Sequence, residues 1–217
     1  MPWMRFSPQV KKNTNTDVGT TVNTNADIDS NNWKQLATVY DMLSCLWLEA
    51  LTFERLQALV GSELRQLIET LGGSVPLNAT SEITEELADD YHQLFTGSTD
   101  SLLPIQSAWM SDPRLTDPAS SCDRFYEDVA GYQAATPVPD HLGVQLGFMA
   151  HLFTLASEGK SREYYLEVAT QFYEEHLDWT SEFLKAVEKK AATDFYRGLA
   201  RITTFFLDEE QDEPGPA

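Results

Sequence analysis

Apolar residues recur at helical spacing along almost the whole chain, and this rhythm constrains the fold more than any other feature. Trp33, Leu36, Tyr40, Leu43 and Trp47 follow one another at alternating intervals of three and four, which aligns them on one face of a helix. Leu56, Leu59 and Val60 predict a short helix stopping at Gly61. Leu64, Leu67, Ile68 and Leu71 repeat the rhythm up to Gly72–Gly73, and Ile83, Leu87, Tyr91, Leu94 and Phe95 carry it to Gly97. Glycine accepts the left-handed conformation that closes a helix, so these positions read as stops. Further on, Leu142, Leu146, Met149, Phe153 and Leu155 or Ala156 form a stripe ending at Gly159. Tyr165, Val168, Phe172 and His176 or Leu177 form another. Phe183, Leu184 and Val187 carry the next, and Phe195 or Tyr196, Leu199, Ile202 and Phe206 the last. No segment alternates apolar and polar residues over a strand's length, and no Asn-Gly or Asp-Gly hairpin turn occurs. The expected fold is an all-α helical bundle of about eight to ten helices.

Two stretches break the rhythm. "STDSLLPIQSAWMSDPRLTDP", residues 98–118, reads mostly as loop. "SSCDRFYEDVAGYQ" predicts one short helix, and "AATPVPD" is a second break, after which Asp140 stands where an N-cap belongs. The chain therefore divides into an N-terminal half of about 30–110, a hinge of about 111–138 and a C-terminal half of about 139–207. A hinge of this kind can fold back on its own chain or extend to a neighbour, so both a monomer and a domain-swapped homodimer are open. Residues 1–29, rich in Asn and Thr, are expected to be a flexible tail, and 208–217 an acidic disordered one.

The formal charge is -19, with 34 acidic residues against 15 basic ones. Such a surface repels nucleic-acid phosphates and anionic lipids and attracts basic ligands. Two cysteines, Cys45 and Cys122, make no disulfide framework, which fits a reducing cytoplasm; Cys45, inside an apolar run, reads as a core residue. No run approaches the ~18 apolar residues of a membrane span, and the N-terminus lacks the apolar stretch of a secretory signal.

Catalytic patterns are sparse. The four histidines are His92, His141, His151 and His176, and none falls in an H-E-x-x-H frame. Cys-x-x-Cys, Gly-x-Ser-x-Gly and the glycine-rich phosphate loops are missing. Asp140–His141 reads either as a helix cap or as part of a small helical metal-dependent enzyme using His141. Adjacent helical residues point about 100° apart and rarely act on one atom together. Metal content of the purified protein separates the two readings.

Trp33, Trp47, Phe53, Tyr91, Phe95, Phe148 and Phe172 lie on apolar stripes and read mostly as core. Trp109 lies in the irregular stretch beside Pro104 and Ser107, where a large ring suits a peptide groove. Tyr91 and Phe95 end a helix that leads into that stretch. Glu82, Glu85, Glu86, Asp89 and Asp90 form either a solvated face or a docking surface for basic side chains.

Three pieces then line up. "LADDYHQLFTGSTDSLLPIQSAW", "PDHLGVQLGFMAHL" and "FYEEHLDWTSEFLKAVEKKAATDFYRGLARITTFFL" resemble, in order and spacing, the TorD/DmsD/NarJ family of redox-enzyme maturation chaperones. The resemblance spans about residues 32–207. It implies a cytoplasmic all-helical chaperone without catalytic activity or obligatory cofactor. Such a chaperone binds the twin-arginine signal peptide and the apo body of a molybdenum-cofactor reductase of the trimethylamine N-oxide or dimethyl sulfoxide reductase type. It assists cofactor insertion and holds back export until maturation. Weak guanine nucleotide binding is implied by the resemblance alone. The positions that match the family's peptide-binding stretches are Tyr91, Leu94, Phe95, Pro104, Asp140 and His141, with Ser107 and Trp109 beside them. The chain departs from the pattern in three places. Gln145 stands where many relatives have Glu, which removes a carboxylate from any arginine pairing there. Gly147 is expected to interrupt the helix after Leu146, and Ile105 stands where some relatives place Trp.

Overall fold

The computed structural model describes residues 24–70, 73–97, 100–110, 117–129 and 131–207, and among them the apolar stripes condense into ten α-helices. These are α1 (Thr24–Leu48), α2 (Phe53–Val60), α3 (Glu63–Thr70), α4 (Ser81–Phe95), α5 (Gln106–Trp109), α6 (Pro118–Asp128), α7 (Leu142–Ser157), α8 (Arg162–His176), α9 (Thr180–Lys190) and α10 (Asp194–Leu207). Local sequence sets several of their starts. The hydroxyls of Thr52 and Thr80 accept the Arg55 and Ile83 amides at the heads of α2 and α4. Asp117 accepts the Ser120 amide at the head of α6, with Pro118 in the first turn. Among the described residues the only extended pairing outside the helices is a single antiparallel bridge between Ile105 and His141.

Helix α7 is buried on nearly every side, from Leu142 through Ser157, packed chiefly between α1 and α8. A helix apolar all round belongs in the interior. α1 lies along its length, α8 flanks it, and α9 packs with α10. One continuous core results. Trp47 of α1, Phe95 of α4, Phe148 of α7, Phe172 of α8, Phe183 of α9 and Tyr196 of α10 all belong to it. Both halves of the chain therefore share one interior. Trp47, fully buried, links four helices. Its indole donates to Thr203 Oγ1 (2.9 Å), its carbonyl accepts the Tyr91 hydroxyl (3.2 Å), and its ring meets Phe95 and Phe183 at 5.7 and 5.3 Å.

α1 and α7 approach closely where their side chains are small. A Cβ built on Gly143 would stand 2.6 Å from Leu48 Cγ, and one on Gly147 would stand 3.0 Å from Ser44 Oγ. Ser44 donates its hydroxyl to the Gly143 carbonyl (2.6 Å). Gly147 thus does not interrupt α7; the helix runs through it, and its missing side chain is the space that Ser44 uses. A second close contact joins Gly198 of α10 to Gly73, where an added Cβ would come within 2.4 Å of the Gly73 Cα.

Other expectations change in detail. α1 begins at Thr24, inside the stretch read as tail, because a helix held by a packed face propagates outward at little cost. Residues 1–23 and the acidic end, 208–217, lie outside the described residues, as do the side chains of Leu64, Leu67 and Leu71. Cys45 is exposed rather than core, since it falls on the face of α1 opposite Leu43 and Trp47. Phe53 is also exposed, at the first position of α2, ahead of the buried pair Leu56 and Leu59. Asp90 leaves the acidic surface altogether. Buried, it accepts the Ala192 and Thr193 amides (3.1 and 2.8 Å) and the Thr193 hydroxyl (2.6 Å), holding from a distant helix the segment that leads into α10, whose Tyr196 amide is accepted by Thr193.

The close contacts make a direct prediction. Gly198→Ala forces backbone against backbone and is expected to cost about 2–3 kcal/mol in urea unfolding. Gly61→Ala, whose Cβ would meet nothing nearer than 3.8 Å, is expected to stay within about 0.5 kcal/mol.

Candidate functional site

The segment before α5 and the segment before α7 are bound to each other like two short strands. The Gln106 amide donates to the Asp140 carbonyl (2.9 Å), and the Leu142 amide donates to the Pro104 carbonyl (2.8 Å). The Asp140 carboxylate then accepts the Ser107 amide (2.9 Å) in the first turn of α5. Ile105, at the N-cap of that short helix, has no oxygen to offer, and Asp140 supplies it across 33 residues. Asp140 therefore caps α5 and not α7. The cap of α7 is His141, whose Nδ1 accepts the Gly143 amide (3.0 Å), so that Nε2 carries the proton.

Beneath this clip lies a buried polar cluster that the sequence reading missed. Gln106 is fully buried. Its amide group donates to the Glu175 carbonyl (3.0 Å), and its oxygen faces Gln145 Nε2 (2.8 Å) and His176 Nδ1 (2.9 Å). Gln145 accepts from the Trp179 indole (3.2 Å), and the Cys122 thiol stands 3.4 Å from His176 Nδ1. His176 Nε2 has no hydrogen-bond partner among the described residues. A legible signal existed: Gln145 shares a helical face with Leu142 and Met149, and an amide on an apolar face must find partners inside. Its burial also explains why it stands apart from any surface charge pairing.

Burial sets the protonation of the cluster. It pushes the Cys122 thiol up to about 12 and holds the His176 imidazole down at about 4. The pair is thus a neutral thiol beside a neutral imidazole, unlike the thiolate that a nucleophilic cysteine needs. Burial likewise lowers His141 to about 4 against the opposing pull of Asp140. Among the described residues no group of three or more His, Cys, Asp and Glu side chains is arranged to hold a metal ion.

The predicted site residues fall into two layers. Pro104, Ser107, Asp140 and His141 meet in the clip, and Trp109 is at the end of its short helix. The Trp109 indole donates to the Leu103 carbonyl (2.7 Å), leaving the ring partly exposed beside exposed Ser107 and Leu103. Tyr91, Leu94 and Phe95 lie below, all buried, with the Tyr91 and Phe95 rings 4.9 Å apart. Phe183 joins the layers: it meets Trp109 at 5.5 Å, Phe95 at 6.2 Å and Trp179 at 5.5 Å. Two clefts lie elsewhere. One of about 700 Å³ runs between α1 and α7, bordered by Lys34, Asp41, Tyr132 and His151. The other, about 350 Å³, is bordered by Ile83, Glu86, Phe195 and Arg197. Neither is lined by a predicted site residue.

Residues 54–185 match the family described as nitrate reductase delta subunit. The match covers more than half of the chain, and the protein belongs to that family. Among curated relatives, the chaperone protein TorD of Shewanella loihica is 28% identical over 195 residues, covering 79% of this chain and 89% of its own. The chaperone protein TorD of Aliivibrio salmonicida is 25% identical, covering 81% and 92%. The chaperone protein YcdY of Escherichia coli is 28% identical over a shorter stretch, covering 59% and 65%. Among the described residues no helix is long and apolar enough to cross a membrane.

Buried His176 and half-buried His141 make stability depend on pH. Both titrate at about 4 in the folded protein, against 6.5 when exposed, so the unfolded chain binds more protons between those values. Stability is therefore full above about pH 6.5 and declines as the pH falls toward 4. From pH 7 to 5 the expected loss is on the order of 1–2 kcal/mol per histidine, read by urea unfolding at each pH. His176→Gln should remove that residue's share of the slope.

Proposed function

We propose that this protein is a non-catalytic cytoplasmic maturation chaperone. In this reading it binds the twin-arginine signal peptide and the apo body of a molybdenum-cofactor reductase of the trimethylamine N-oxide or dimethyl sulfoxide reductase type, and holds back export until the cofactor is in place. The observation that carries the reading is the alignment of TorD chaperones over about four fifths of this chain. The charge of -19 supports it, since a twin-arginine signal pairs basic residues with an apolar stretch. The aromatic cluster around Phe183 supports it from the apolar side. Trp109 and Ser107 would meet the peptide first, and Tyr91, Leu94 and Phe95 would receive its apolar part. Pro104, Asp140 and His141 would hold the rim. Apolar burial would supply most of the affinity, at about 25 cal/mol per Å² before the cost of ordering the peptide.

Calorimetry with a synthetic twin-arginine signal peptide tests this reading. The expected result is micromolar or tighter affinity that weakens as salt rises. An absence of heat at every salt concentration would remove the peptide-binding role.

We also read residues 111–138 as a hinge that permits exchange between chains; of these, 111–116 and 130 lie outside the described residues. α1 of the first half lies along α7 of the second, so a swap would rebuild this contact between two molecules with no new interface. Size-exclusion chromatography with light scattering is expected to show monomer and dimer interconverting slowly, because exchange opens the core. A lone monomer peak after refolding at high concentration would overturn the swap.

A further inference from the structure

The clip raises a question that the peptide-binding reading leaves open. Tyr91, Leu94 and Phe95 are buried, and Phe183, which meets Phe95, is itself met from outside by Trp109 of residues 104–109. The bonds that hold this segment are those an extended peptide would make. Its backbone takes the Asp140 carbonyl and the Leu142 amide, its Ser107 amide takes the Asp140 carboxylate, and its Trp109 ring covers Phe183. We propose that residues 104–109 are a strap acting as an internal stand-in for the client peptide, and that the client binds by displacing it. The proposal rests on the peptide-binding reading above and names how that site opens.

Each bond of the strap has a counterpart in a peptide carrying arginines before an apolar stretch. Peptide backbone in extended form would take over the Asp140 carbonyl and the Leu142 amide. A guanidinium would take the Asp140 carboxylate released by Ser107. An apolar side chain would replace Trp109 on Phe183, which in turn meets Phe95, Trp47 and Trp179. Charge favours this occupant where the floor opens: exposed Asp178 and Glu182 stand next in sequence to Trp179 and Phe183, while the basic residues of α9, Lys185, Lys189 and Lys190, follow toward its end.

Two observations make the strap releasable. The side chain that anchors it in the interior is an amide, Gln106, held by hydrogen bonds that exchange against water at small net cost, where a buried leucine would lose its burial outright. The cluster is also incompletely paired in the closed state: His176 Nε2 is buried with no hydrogen-bond partner among the described residues, the Glu175 carboxylate lying 4.0 Å away.

Ile105 and His141 form the bridge pair. The two flanking backbone bonds mark them as a non-hydrogen-bonded antiparallel pair, whose Cα atoms lie about 4.5 Å apart, within the disulfide range of about 4.4–6.8 Å. The test is Ile105→Cys with His141→Cys in a Cys45→Ser background, assayed oxidised and reduced against a synthetic twin-arginine signal peptide. The expected result is an affinity weaker by on the order of tenfold or more when oxidised, restored by reductant. Comparing one variant in two redox states cancels the effect of the substitutions. Equal affinity in both states, with the unsubstituted chain binding, overturns the strap and leaves the chaperone reading standing; no binding by the unsubstituted chain overturns both. Hydrogen exchange on the unsubstituted chain supplies a second measurement should the variant fail to fold. Peptide is expected to speed exchange at the Gln106 and Ser107 amides while Leu142 stays protected. Slower exchange at Gln106 and Ser107 would show the peptide docking on a closed strap and overturn the proposal.

Discussion

The close crossing of α1 and α7 is the contact from which the rest of the molecule is built. Gly143 and Gly147 present bare backbone to Ser44 and Leu48, and the Ser44 hydroxyl reaches the Gly143 carbonyl at 2.6 Å. Two helix backbones this close bury Gly143 against Leu48, and from Gly147 onward the cleft of about 700 Å³ opens between the two helices. The remaining faces of α7 are apolar and are covered in turn by α8 and by the aromatic rings of Tyr126, Tyr132 and Phe172 around Phe148. Because α1 precedes the expected hinge and α7 follows it, neither half has a finished interior without the other.

Polar contacts then determine how the periphery is placed on that interior. Asp90 holds the Ala192–Thr193 segment ahead of α10, Asp140 caps α5 and Gln106 enters a cluster with Gln145, His176 and Trp179, each joining elements far apart in sequence. Hydrogen bonds of this kind contribute only about 0.5–1.5 kcal/mol each in net stability, yet an unsatisfied partner costs about 1–3 kcal/mol. Their effect is therefore to specify a position more than to hold it. The apolar burial of Trp47, Phe148 and Phe183 supplies the bulk of the stabilisation, while the polar contacts select which arrangement of the short segments goes with it.

This division suits a protein whose relatives are named chaperones. Under the proposed displacement of residues 104–109, a rigid aromatic interior next to a segment attached by exchangeable bonds would give a binding surface that need not be exposed when no client is present. Exposed apolar patches invite association with the wrong partner, and the strongly acidic surface adds solubility. The neutral state of Cys122 and His176 fits the same picture, since burial removes the thiolate character on which cysteine chemistry depends.

Periodicity alone determined the all-helical class, the placement of most helices and the stripes of core residues, because a helix must bury one face and the three-four spacing identifies that face. The resemblance singled out Pro104, Ser107, Asp140 and His141, which meet in the clip, together with Leu94 and Phe95, which lie buried in a separate layer. What the sequence left undecided depends on contacts between distant segments. Asp140 has the right residue type and position to cap α7, yet His141 takes that role and Asp140 turns to Ser107, because the bridge between Ile105 and His141 brings a second helix start within its reach. Asp90 looked like one more surface acid until α10 arrived above it, and Gly147 like a helix breaker until Ser44 needed its space. Local pattern reports which face is buried, but only the tertiary structure decides what each buried polar group or glycine is buried against.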